Sequence, residues 1–289
     1  MNGILMGALV ALSMAQQTDT IIPVDGATRL DVEAAGGTIV VTAWERNEIR
    51  VQAEHSSRTF VEISRSRNGT IQVESEANRG PGGITDFTIS VPATLALDLE
   101  GMYTDITVEG SNAAVEAETV QGNITIRGGR GTVSASTATG EILVEGAEGS
   151  IDAESAASDI RFVNVGGDVV AESAGGDIFF ENARATTVDA GSTGGRIQYQ
   201  GTFQATGRYF FGSHGGSVIL VVPEGTSATF NLATIHGSIT TNLNGALERL
   251  ERGQRNSLTV GSGGAVVEVE TFGGRIAVMR QGTEGALQQ

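Results

Sequence analysis

The stretch Glu172–Phe180, ESAGGDIFF, decides the fold: a polar turn built around two glycines feeds an apolar strand. Near-copies begin at Glu118 (ETVQGNITI), Glu154 (ESAASDIRF) and Glu270 (ETFGGRIAV). Aligned on the isoleucine of that phrase, Ile106, Ile124, Ile142, Ile160 and Ile178 stand at a constant spacing of 18 residues. Two residues after each comes Val108, Ile126, Val144, Phe162 or Phe180. A second ladder, Val115, Val133, Ile151 and Val169, is followed two positions on by Ala117, Ala135, Ala153 and Ala171. Each repeat thus holds two short segments of period-two alternation, which is the pattern of strands and not of helices. Thr119, Thr137, Ser155 and Ser173 continue the alternation inward, where hydroxyls can bond turn backbone.

A fixed period with two strands and two turns implies stacked coils, each strand pairing in parallel with its copy about 4.8 Å away. An antiparallel meander gives no reason for the residue one period later to be of the same type. A left-handed helix of hexapeptides requires an apolar residue every sixth position, which the offsets here do not supply. The expected architecture is therefore all-β, a single-domain parallel β-helix (β-solenoid) with about 18–21 residues per coil. Gly122, Gly140, Gly176, Gly195, Gly216, Gly237 and Gly274 each lie two residues before a leading Ile or Val. They are read as structural turn glycines, needed for positive φ or for close approach of a neighbouring chain. Thr104 and Ser158 replace glycine at that offset, while Gly131, Gly149 and Gly167 precede the second ladder in the same way.

Downstream the leading positions Ile197, Val218, Ile239 and Ile276 are spaced by 19, 21, 21 and 37 residues, so the last interval is expected to hold an extra coil. ANRGPGG (77–83) and the charged ALERLERGQR (246–255) read as loops. Residues 1–15 read as a signal peptide: ILMGALVALSMA is an uncharged apolar run with small residues at the cleavage positions, too short to anchor in a bilayer. Residues 16–27 form a lead-in, 28–279 the solenoid and 280–289 a flexible tail. The mature chain is expected outside the cytoplasm, periplasmic, cell-surface or secreted, with no transmembrane anchor after signal cleavage.

The 289 residues carry a net charge of −16, and all 18 basic residues are arginine. From Gly101 to Ala190, fifteen acidic residues face Arg127, Arg130, Arg161 and Arg184 alone, which excludes a nucleic-acid footprint. The absence of cysteine excludes disulfides, thiolate catalysis and cysteine metal sites.

Asp105, Asn123, Glu141, Asp159 and Asp177 precede the inward isoleucines and so point outward. Like charges stacked along a sheet repel. Two remedies exist: calcium held by Asp105, Glu141, Asp159 and Asp177, or solvation of the row by water and salt. Glu118, Glu154 and Glu172 form a separate outward row. Glycoside hydrolysis needs two carboxyls at a set separation and an environment that raises the acid's pKa, and an open ladder offers only the first. Trp44 is the only tryptophan, and Tyr103, Tyr199 and Tyr209 are scattered. His214 and His236 lie at equivalent turns, but two ligands without a third make a weak metal site. No nucleophile elbow and no Walker lysine occur, and no catalytic residue or organic cofactor is assigned.

The chain resembles a bacterial family of exported β-strand-repeat proteins known as the putative adhesins, a domain family of unknown function. The likeness runs from Thr28 to Met279 and rests on LDVEAAGGTIVVTAWERNEIRVQAE, on ISVPATLALDLEG, on coils of the form GxIxVxGxxGxVxAxT, and on LTVGSGGAVVEVETFGGRIAV. It implies a parallel β-helix outside the cytoplasm and supplies no catalytic residues. The expected function is a non-enzymatic solenoid whose extended faces bind a cell-surface, glycan or envelope partner. An accessory or sensor role in envelope-stress regulation, and a polysaccharide-active enzyme, are the alternatives.

Overall fold

The structure, a computed structural model, describes residues 16–77, 83–243, 247–249 and 255–282. The expected signal peptide, most of the 77–83 loop and residues 283–289 of the expected tail lie outside these. All regular elements among the described residues are β-strands.

The chain winds between two sheets enclosing one core. On one, the isoleucine ladder is continuous and in register: Phe87, Ile39, Ile106, Ile124, Ile142, Ile160, Ile178, Ile197, Val218, Ile276 and Ile239. On the other run Ile71, Leu30, Leu97, Val115, Val133, Ile151, Val169, Val188, Tyr209, Val267 and Phe230. Every pairing in both ladders is parallel, and all members are buried except the half-buried Ile239. Alternation puts one side chain in two into the core, so this burial follows directly from the 18-residue pattern.

At both ends the order in space departs from the order in the chain. The coil formed by Ala265–Thr271 and Ile276–Arg280 is inserted between the coil of Arg208–Ser213 and Val218–Val222 and the coil of Ala228–Thr234 and Ile239–Thr241. At the other end Arg29–Trp44 lies inside Thr70–Ala77 and Thr85–Pro92. Among its described residues the 37-residue interval therefore shows no extra parallel coil. Instead Arg255–Val260 runs antiparallel on Ala228–Thr234, and Leu247–Arg249, read in sequence as part of a loop, runs antiparallel on Arg255–Val260. Antiparallel strands likewise close the opposite end: Thr59–Arg65 on Thr70–Ala77, Glu48–His55 on Thr85–Pro92, and Gln16–Pro23 on Glu48–His55. A parallel stack leaves unpaired N–H and C=O groups at each end, and these strands cover them. The last strand continues through Arg280, one residue into the expected tail, where the Arg280 N–H donates to Asn242 Oδ1 at 2.8 Å.

The turn glycines act by close approach. A methyl group at Gly140 would overlap the carbonyl oxygen of Gly122 one coil away, and one at Gly216 would overlap that of Gly195. Left-handed backbone occurs at the other corner, where Gly110, Gly128, Gly146, Asn164 and Asn182 stack with φ between 54 and 91°.

Candidate binding corner

The corner between the two sheets that carries the ESAGGD phrase is pinned from both sides. On its inner side the hydroxyls of Ser155, Ser173, Ser192, Ser213 and Thr234 each accept the backbone N–H of the residue three positions on, at 2.8–3.1 Å. These side chains are buried, as the alternation requires. On its outer side Asp105 Oδ1 accepts the Asn123 N–H at 2.7 Å, Asn123 accepts that of Glu141 at 2.9 Å, and Asp159 accepts that of Asp177 at 2.8 Å. Asp177 accepts the Arg196 N–H at 2.7 Å and holds its guanidinium at 2.8 Å. The carboxylates thus bond backbone of the next coil, an arrangement that favours short Asp and Asn side chains at this position. Among the described residues no group of three or more His, Asp or Glu side chains gathers as a metal ion would require.

Between the two pinned edges the turn residues face solvent. In axial order the first corner position reads Ala35, Met102, Val120, Ala138, Ala156, Ala174, Thr193, His214, Phe272 and Ile235. Neither this position nor the next carries Asp, Glu, Lys or Arg in any of these coils. The large members are exposed: Met102 by 52 %, Val120 by 54 %, Phe272 by 43 % and Ile235 by 56 %, with Tyr103 at 62 % in the second position.

Beside this strip the outward glutamates form a rim. Glu62, Glu74, Glu33, Glu100 and Glu118 are successive cross-strand neighbours, and Glu154 pairs with Glu172 further along. Three concavities follow strip and rim. The first, about 420 Å³, is lined by Glu33, Glu74, Glu76, Glu100, Glu118, Met102 and Val120. The second, about 460 Å³, lies between Glu154, Glu172, Ala156, Ala174 and Phe210. The third, about 520 Å³, is enclosed by Phe210, His214, Ile235, Arg255, Glu270 and Phe272. Phe210 walls both the second and third. In the first, burial raises the Glu74 carboxyl above its ordinary pKa, and the charges of Glu33, Glu76 and Glu62 add to the shift.

His214 and His236 do not meet. The inserted coil places Phe272 between them, stacked on His214 at 4.7 Å and tilted against His236 at 5.0 Å. The expectation that equivalent turns are adjacent fails here because the final coil enters out of chain order. The sequence reading also missed that Glu33, Glu74 and Glu100 join Glu118. A signal for Glu33 was present, since Glu33–Ile39, EAAGGTI, repeats the phrase at Glu172.

A long parallel stack with this glycine register invites comparison with known families. The Toastrack DUF4097 family profile matches residues 27–279. The chain belongs to the Toastrack family. Solved structures similar to this Toastrack chain include a putative adhesin from Bacteroides fragilis, 15 % identical, covering 93 % of this chain and 98 % of that one with a TM-score of 0.43. A putative adhesin from Parabacteroides distasonis is 11 % identical, covering 93 % and 98 % with a TM-score of 0.33. A putative cell adhesion protein from Clostridium sporogenes is 10 % identical, covering 93 % and 100 % with a TM-score of 0.25. No curated protein matches the Toastrack chain. No helix of the described residues is long and apolar enough to cross a membrane.

Proposed function

We propose that this Toastrack protein is an exported, non-enzymatic binding module that uses the pinned corner as its contact surface for a cell-surface, glycan or envelope partner. The observation that carries this reading is the uncharged strip itself. In a chain of net charge −16 it runs along the solenoid without an Asp, Glu, Lys or Arg and exposes Met102, Tyr103, Val120, Phe272 and Ile235. Contiguous exposed apolar surface of this kind marks interaction sites. The turns beneath it are held by buried hydroxyls and cross-coil carboxylates, so the surface is preorganised and little ordering entropy is lost on contact. The carboxylates along the rim are cross-strand neighbours on open sheet, which supports electrostatic selection of a partner more than acid–base catalysis.

The test is retention of the full chain on immobilised envelope fractions and polysaccharides, compared with two multiple variants. One replaces Met102, Val120, Ile235 and Phe272 by Ser. The other alters the opposite corner at Arg130 and Arg184. The reading expects retention to fall about tenfold or more for the first and to stay unchanged for the second. Equal retention of both, or turnover of any polymer, overturns it.

A further inference from the structure

We infer that the first concavity of the corner takes an extended, cationic polypeptide segment, one that alternates lysine or arginine with aliphatic side chains. This rests on the reading of the corner as a binding surface and names the chemistry of its occupant.

Among the described residues, the groove presents Glu33, Glu74, Glu76, Glu100 and Glu118 without a basic side chain in its lining. Arg29, on the same strand as Glu33, is committed to the neighbouring row, where it pairs with Asp31 at 2.8 Å, with Asp98, and with Glu116 at 3.5 Å. In-register carboxylates repel one another, and burial of the Glu74 carboxyl sharpens the need for a counter-charge. The basic side chains of a polypeptide supply that counter-charge. The groove floor leads onto exposed Met102 and Val120, which a cation alone leaves in water.

Charge excludes the other classes of occupant. Nucleic acid and anionic lipid are repelled by the rim. A neutral glycan covers the carboxylates without neutralising them. A small polyamine neutralises them but leaves Met102 and Val120 uncovered. A polypeptide can also continue along the axis, because the strip beyond the groove is uncharged through Ala138 and Ala156.

The experiment is fluorescence anisotropy with the full chain and the labelled peptide KLSKLSKLS, against ELSELSELS, KGSKGSKGS and spermidine as competitor. The expected result is saturable binding of the first peptide, weakened about tenfold by Glu100→Gln with Glu118→Gln and less than about twofold by Glu45→Gln with Glu268→Gln, which line none of the three concavities. Both pairs remove the same net charge, so a difference between them reports the groove and not the bulk field. Met102→Ser with Val120→Ser is expected to weaken the lysine–leucine peptide and leave the lysine–glycine peptide unchanged. A thermal melt verifies folding, and relief of repulsion predicts no loss of melting temperature in the Gln variants.

Equal effects of the two Gln pairs, equal binding of KGSKGSKGS, or displacement by spermidine at matched charge overturns the inference. If the peptide fails while retention on envelope fractions still depends on the corner apolar residues, the occupant's chemistry is wrong and the binding surface stands. Loss of both removes the surface as well.

Discussion

Two stretches of the same solenoid solve the core differently. Between Val115 and Ser173 the coils keep the 18-residue spacing, and one inward row is Ala117, Ala135, Ala153 and Ala171, all buried. Beyond Phe180 the spacing grows to 21 residues, and the inward positions become Tyr199, Tyr209, Phe211 and Phe230. The rings form one cluster: Tyr199 meets Phe180 at 5.4 Å, Phe211 at 5.3 Å and Phe203 at 5.1 Å. Both tyrosine hydroxyls are satisfied by backbone, Tyr199 donating to Thr202 O at 2.9 Å and Tyr209 to Ala185 O at 2.8 Å. Burial keeps both phenols well above their ordinary pKa and hence neutral. The lesson is that repeat length follows the cross-section of the core. A wider interior needs more chain to close around it, and residues 201–207 provide it.

The largest effect breaks that contrast directly. Phe211→Ala removes a fully buried ring and is expected to cost about 3–5 kcal/mol, read by denaturant unfolding. Ala153→Leu, in the narrow stretch, is expected to cost about 1–3 kcal/mol by overpacking. If the wide core tolerated the deletion at under about 1 kcal/mol, the aromatic cluster would be filler, and the link between ring volume and coil length would fail.

A smaller effect compares the hydroxyl row along the same axis. The Ser173 hydroxyl accepts the Gly176 N–H at 2.9 Å, so Ser173→Ala is expected to cost about 1–2 kcal/mol, because a buried donor is left unpaired. At Thr119 the equivalent donor, Gly122 N–H, already bonds Thr139 O at 3.0 Å, and the Thr119 hydroxyl is buried without a partner. Thr119→Val is therefore expected to be neutral or to raise the melting temperature. Equal destabilisation by both substitutions would show that the row acts through packing and not through its hydrogen bonds.

The middle of the fold was legible because identical residues recur at a fixed interval, and parallel pairing in register is the arrangement that makes them neighbours. The ends were not. Their strand order depends on which edge Ala265–Thr271 and Thr70–Ala77 join, and period-two alternation is the same for a strand added outside the stack or inserted within it. The left-handed corner was open to reading and was passed over: Gly110, Gly128, Gly146, Asn164 and Asn182 keep the 18-residue spacing, and Gly and Asn are the residues that tolerate positive φ. The binding corner was half legible. Its hydroxyl row and acidic ladder followed from alternation, but the glutamate rim needed the displaced N-terminal coil to bring Glu74 beside Glu33.

The smallest effect tests the surface counterpart of the core contrast. Toward the N-terminal end the rim is crowded with Glu33, Glu74, Glu100 and Glu118, whereas in the wide part the same row passes through Gly191 and Gly212 before Glu270. Burial and neighbouring carboxylates raise the folded-state pKa of Glu74 above its ordinary value. A raised acid binds its proton more tightly when folded, so its ionisation costs stability above the folded pKa, and the cost disappears as pH falls through that value. Glu74→Gln is expected to stabilise the chain at pH 7 by about 0.3 kcal/mol, the low end of a cross-strand like-charge repulsion once solvent screening is allowed for. The difference in melting temperature between wild type and variant should shrink as pH is lowered toward 4.5, and should also shrink in high salt. A difference that persists at low pH would assign the effect to packing of the Gln side chain, and the crowding of the rim would then carry no electrostatic strain.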